Sequence, residues 1–133
     1  MLTPAVTMLY AGLCAGVLFV LSVRVIRMRR QLNVSVGDAG DEEMVRCIRA
    51  QANFAEYVPI ALLLILLLEL AGTPAALLHL LGAVLLVGRL VHAWSLTARS
   101  GRARVAGMIM TFAVLVSAGA FNVVAALAYW LAA

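Results

Sequence analysis

Across 133 residues, a hydrophobic content of 65% with only 12% charged residues excludes an ordinary soluble domain, in which about half the residues are apolar and about a quarter charged. The net charge of +4 arises from arginines gathered at the edges of apolar runs, where they orient a membrane protein, so nucleic acid is not an expected partner. Two cysteines and two histidines at these spacings make no zinc site, and no phosphate-binding or dinucleotide-binding glycine motif occurs.

Four apolar stretches follow in order, giving expected spans of about 4–26, 44–71, 74–98 and 104–131, each long enough at about 1.5 Å per residue to cross a hydrocarbon core of about 30 Å. The fold class is therefore an all-α membrane protein, one four-helix domain over 1–133. The segment 1–10 has no basic residue ahead of its apolar stretch and reads as a retained anchor helix, not a cleaved leader. Pro4 and Pro74 suit the first turns of the first and third helices, where a missing N–H is no loss. Between the first two spans lies an acidic, glycine-containing connector, 32–43, in which Asp41 is the expected N-cap of the second helix. Ala71-Gly72-Thr73-Pro74 leaves room only for a tight turn between the second and third helices.

Arg24, Arg27, Arg29, Arg30, Arg46 and Arg49 flank the first connection, and Arg99, Arg102 and Arg104 the third. The positive-inside rule puts both connections in the cytoplasm and both termini outside. Tyr10, Tyr129 and Trp130 are expected in an outer aromatic belt and Trp94 in an inner one. Cys14 and Cys47 are expected at different depths, without a disulfide. His79, Glu69 and Asn122 read as interfacial or interhelical hydrogen-bonding groups, and Gly12 with Gly16 as a weak signal for close helix packing.

The second helix carries Arg46, Arg49, Asn53 and Glu56 at i, i+3, i+7 and i+10, a single polar stripe on a helix of 3.6 residues per turn. Glu56 stands about 21 Å along the helix from Leu70, and Arg89 about 22 Å from Pro74, so the stripe and the Arg89/His92 pair of the third helix reach similar depths. Ionisable groups there are costly and point to function. Pairing of Arg49 or Arg89 with Glu56 would make interhelical glue, with Arg46 snorkelling to the interface. The surplus of guanidinium groups favours instead a site for an anionic ligand that also carries an amine, since guanidinium forks match carboxylates and Glu56 would receive an ammonium. Pro59 interrupts the hydrogen bonding of the same helix and is a candidate for opening a cleft beside the stripe.

The run Arg46-Cys47-Ile48-Arg49-Ala50-Gln51-Ala52-Asn53-Phe54-Ala55-Glu56-Tyr57-Val58-Pro59 resembles the signature of the MAPEG superfamily, membrane-associated proteins of eicosanoid and glutathione metabolism, and the chain is similar to that family over all four spans. The resemblance implies a homotrimer of four-helix protomers that binds glutathione, as co-substrate, between neighbours near the cytoplasmic side. Arg49, Asn53 and Glu56 match the glutathione-contacting arginine, asparagine and glutamate. Arg46 belongs to the same motif, and Gln51 and Tyr57 match secondary positions. Gly88-Arg89-Leu90-Val91-His92 resembles the third-helix segment in which His92 takes the place of a ligand-contacting His or Tyr, with Arg89 beside it. Arg104 resembles the arginine assigned to stabilising the thiolate, and Arg27 or Arg30 the first-helix arginine that reaches the ligand. Leu96 stands where several eicosanoid-type members carry a substrate-contacting Tyr, and Ala52 where the prostaglandin enzyme has a further Arg, so eicosanoid substrates are not implied.

The expected activity is that of a glutathione transferase or peroxidase of the bacterial inner membrane, acting on a lipophilic electrophile that enters from membrane lipid. A small multidrug-type transporter is a rival reading, weakened by the lack of an acidic residue in the first helix. A thiol-binding scaffold without turnover is another.

Overall fold

In the computed structural model, which describes residues 3–132, the chain forms four helices: α1 (Ala5–Gln31), α2 (Glu42–Leu70), α3 (Ala75–Thr97) and α4 (Gly101–Ala132). All four are long and apolar enough to cross a membrane, and there is no strand among the described residues. Met1 and Leu2, which begin the segment read as a retained anchor, and Ala133 lie outside them.

The helix ends have local causes. Asp41 accepts a hydrogen bond from the Met44 backbone N–H at 2.8 Å, so α2 begins at Glu42, slightly before the expected 44, because a side-chain cap satisfies one of the first-turn donors. At the opposite end Gly72, with φ +84°, lets the chain turn back while the Thr73 N–H reaches the Leu68 carbonyl at 3.1 Å, a Schellman-type close. Pro4 and Pro74 occupy the cap positions just before α1 and α3. Helix α1 runs past 26 to Gln31, since the arginines beyond the apolar run are good helix formers. Helix α4 begins three residues before 104, where Ser100 accepts from the Ala103 N–H at 3.3 Å. Helix α2 continues through Pro59.

Helices α1 and α4 do not touch, so the α2–α3 hairpin stands between them. The α1–α2 and α3–α4 connections lie together at the Arg-rich end, and the Gly72 turn lies at the other end with the start of α1 and the end of α4. A core of Val6, Tyr10, Ile65, Leu68, Leu78, Leu85 and Val114 fills the Gly72 end; Cys14, Leu21, Ala50, Phe54 and Val58 bind α1 to α2 nearer the middle. Glu69 accepts from the Val6 and Thr7 N–H groups, each at 2.8 Å, which places a carboxylate on the positive end of α1. Asn122 donates to the Leu64 carbonyl at 2.9 Å, joining α4 to α2.

Tyr10 does not belong to an aromatic belt. It is 8% exposed, its ring fills the space that a Cβ at Gly82 would take, and its hydroxyl donates to the His79 carbonyl at 3.1 Å. Trp94, Tyr129 and Trp130 do face outward. A Cβ at Gly12 or Gly16 would meet nothing within 4 Å, so close packing within the chain does not use them, and both cysteines are free.

Helices α3 and α4 approach most closely at Gly88 and Gly107. A Cβ on Gly107 would lie 2.7 Å from the Gly88 carbonyl oxygen and 2.8 Å from the His92 nitrogen, backbone atoms that yield only if the helices separate. Gly107→Ala is expected to destabilise the fold by about 1–3 kcal/mol, the range for overpacking a tight core. Thermal unfolding in detergent micelles measures this as a lowered midpoint; an unchanged midpoint would show that the helices part freely.

Candidate functional site

At the Arg-rich end, the last turn of α3 and the first of α4 meet the start of α2 around a cavity of about 340 Å³, lined by Arg46, Ser95, Leu96, Arg99, Ser100, Gly101 and Arg104. This volume lies at the small end of the range of about 300–1,000 Å³ typical of ligand pockets. Arg46 is engaged by Glu43 at 3.1 Å and Glu42 at 3.3 Å, both on its own helix. No carboxylate pairs with Arg99 or Arg104 among the described residues, so the cavity keeps a positive excess suited to an anion.

A second polar group lies deeper. Arg89 is 1% exposed and donates from Nη2 to Asn53 Oδ1 at 2.6 Å and to His92 Nδ1 at 3.2 Å. Nη1 donates to Thr111 Oγ1 at 3.2 Å, and the guanidinium carbon stands 5.7 Å from the centre of the Phe54 ring. A buried cation without a counter-charge is expensive; here neutral acceptors from α2, α3 and α4 and an aromatic face replace the water of both Nη groups, while Nε is buried without an acceptor among the described residues. Expected among the ligand contacts, Arg89 has its guanidinium committed inside the four-helix bundle. Ser95 donates to the His92 carbonyl at 2.7 Å, which sets His92 one turn from the cavity wall.

The stripe of α2 is divided by this arrangement. Asn53 turns to Arg89, whereas Arg49 and Glu56 are exposed on the outside of the four-helix bundle, and Glu56 pairs with neither Arg49 nor Arg89. Along the same helix, Ile60, Leu63 and Leu67 are also outward. Gln51 is tied to α1, its Nε2 donating to Ser22 Oγ at 3.0 Å, and Tyr57 stacks edge-on with Phe112 of α4, centroids 5.4 Å apart. Arg27 and Arg30 are exposed; Arg30 lines a separate hollow of about 440 Å³ with Arg29, Asn33 and Ser35. A hollow of about 280 Å³ does lie beside Pro59, but its other walls are Cys14, Leu18, Phe54, Val58 and Leu62 with small neighbours, an apolar cleft away from the arginines.

Sequence reasoning used Arg99 only for orientation and gave no role to Ser95, Ser100 or Thr111. Arg99 stands five residues before Arg104 in the same Arg-rich connection, a visible signal. Thr111 gave none, because its meeting with Arg89 depends on the Gly88–Gly107 approach of two helices.

Comparison with known proteins places the chain in a family. A model of the MAPEG family matches residues 7–131. The inner membrane protein YecN of Escherichia coli strain K12 is 41% identical over 110 residues, 83% of this chain and 84% of the relative, and YecN of Escherichia coli O6:H1 strain CFT073 matches to the same extent. Matched by the family model over nearly its whole length, and 41% identical to YecN over 83% of the chain, this multi-pass membrane protein belongs to the MAPEG family.

Proposed function

We propose that the protein is a glutathione-dependent transferase or peroxidase of the bacterial inner membrane, active as a homotrimer, with its site toward the cytoplasm and both termini outside. The observation that carries this reading is the cavity of about 340 Å³ walled by three arginines. Arg46, Arg99 and Arg104 suit the carboxylates and the sulfur of a tripeptide with two carboxylates and one ammonium, and Glu56, outside the cavity on the exposed stripe of α2, suits the ammonium.

Trimer formation answers the problem posed by Arg49 and Glu56. Both are exposed on a helix whose neighbouring outward residues are apolar, and charges at that depth cost several kcal/mol in lipid. A second protomer laid over this face covers them, and its first-helix arginines, Arg27 or Arg30, complete the site from the other side. The name of the YecN relatives agrees with the location.

Glutathione, when bound, supplies the nucleophilic sulfur. A thiol of ordinary pKa, about 8.5, is mostly protonated at neutral pH, and a neighbouring guanidinium favours its anionic form. Arg104 provides that charge, Arg49, Asn53 and Glu56 hold the tripeptide in one orientation, and the outward apolar residues admit a lipophilic electrophile from the bilayer. The test is conjugation of a halonitroarene by the purified protein in micelles. Saturable, glutathione-dependent turnover is expected; glutathione binding without turnover of any electrophile or peroxide would select the scaffold reading instead.

A further inference from the structure

A guanidinium has five N–H donors, no acceptor, and never loses its proton in a protein, so every partner of Arg89 must accept. The two hydrogens of Nη2 go to Asn53 Oδ1 at 2.6 Å and His92 Nδ1 at 3.2 Å. Those of Nη1 go to Thr111 Oγ1 at 3.2 Å and the Met108 sulfur at 3.9 Å. Thr111 can accept because its own proton goes to the Gly107 carbonyl at 2.8 Å. For the other two partners the requirement has a chemical consequence. Asn53 must hold its amide with the oxygen inward, which leaves Nδ2 as its free end. His92 must be neutral with its proton on Nε2, since Nδ1 is occupied as an acceptor.

Neither Asn53 Nδ2 nor His92 Nε2 has a protein acceptor among the described residues, and neither is among the atoms sealed without a partner inside the protomer. The same guanidinium thus sets the polarity of two side chains from two helices, at the depth where the α2 stripe lies.

We infer that Arg89 is a positioning residue that locks Asn53 and His92 as hydrogen-bond donors, so that this part of the site reads acceptor atoms of a ligand, carboxylate or amide carbonyl oxygens, and disfavours ligand donors. That Asn53 and His92 face a ligand, and which ligand it is, rests on the glutathione reading; the donor lock is a property of the free protein. Discrimination follows because a ligand that offers a donor here leaves N–H groups facing N–H groups, and unpaired buried donors are strongly disfavoured.

The lock has a spectroscopic signature that needs no ligand. The chain has two histidines, so the full-length protein labelled with nitrogen-15 at histidine and held in micelles gives two sets of ring signals, assigned with His79→Gln. The expected result is a neutral His92 ring, protonated at Nε2 and hydrogen-bonded at Nδ1, before glutathione is added. A protonated ring, or one carrying its proton at Nδ1, would overturn the inference. Arg89→Met is expected to release the ring into a mixture of tautomers, and a ring still held as Nε2–H in that variant would also overturn it; should the variant not fold, the wild-type spectrum decides. For ligand reading, Asn53→Asp replaces the free donor with an acceptor while keeping a partner for Arg89. Glutathione affinity is expected to fall by about 10-fold or more, the scale of one charge-assisted hydrogen bond, and equal affinity would count against the lock. If wild-type protein bound no glutathione, the functional reading would fail while the histidine spectrum still decided the donor lock.

Discussion

Replacing Arg104 by alanine is expected to cut glutathione-dependent turnover by about 10²–10³-fold, corresponding to about 2.7–4 kcal/mol of lost electrostatic stabilisation, while leaving the fold in place. Arg104 is exposed at the start of α4 and lines the arginine cavity. No carboxylate engages it among the described residues, so its removal leaves no buried charge behind. Its neighbours Arg46 and Arg99 remain, and so the variant should still bind glutathione. The loss should therefore fall mainly on kcat, the pattern of an interaction that matters more at the transition state than in the bound ground state. Steady-state kinetics with a halonitroarene check this; wild-type turnover in Arg104→Ala would remove the residue from the mechanism, and an increase confined to KM would make it a binding residue.

Arg49→Ala should act on binding instead. Arg49 is exposed on α2 and makes no salt bridge within the protomer, so alanine there disturbs little of the protomer itself. A charge-assisted hydrogen bond to a carboxylate is worth about 1.5–3 kcal/mol, which converts to roughly a 10- to 150-fold rise in Kd. Protection by glutathione against thermal unfolding reads the change directly, because a ligand that binds only the native state stabilises it by RT ln(1 + L/Kd), L being the free ligand concentration. Undiminished protection in the variant would place the ligand away from the α2 stripe.

The spans were legible because a bilayer imposes a length on each helix and polar connections must lie outside it. Asp41 was legible as a cap because capping is local: its carboxylate meets the Met44 N–H three residues on. What could not be read depended on contacts between helices. The inward turn of Tyr10 required knowing that Gly82 of α3 stands opposite with no side chain. The candidate site shows the same division. Periodicity placed Arg49, Asn53 and Glu56 on one face, yet Asn53 lies at its border, close enough to α3 for Arg89 to claim its oxygen at 2.6 Å. Arg89 itself could be placed at the right depth from sequence, but its orientation follows from Gly88 and Gly107, whose missing side chains bring Thr111 within 3.2 Å. The joining of Arg46, Arg99 and Arg104 around one cavity likewise depends on how the α3–α4 connection folds over the start of α2.

Binding of glutathione is the most direct test of this account, since pocket charge, the exposed stripe and the proposed chemistry all depend on it. Calorimetric titration of the purified wild-type protein in micelles is predicted to give saturable binding, markedly weakened in Arg49→Ala. Absence of binding to wild-type protein at saturating glutathione, or equal binding by the variant, would contradict it.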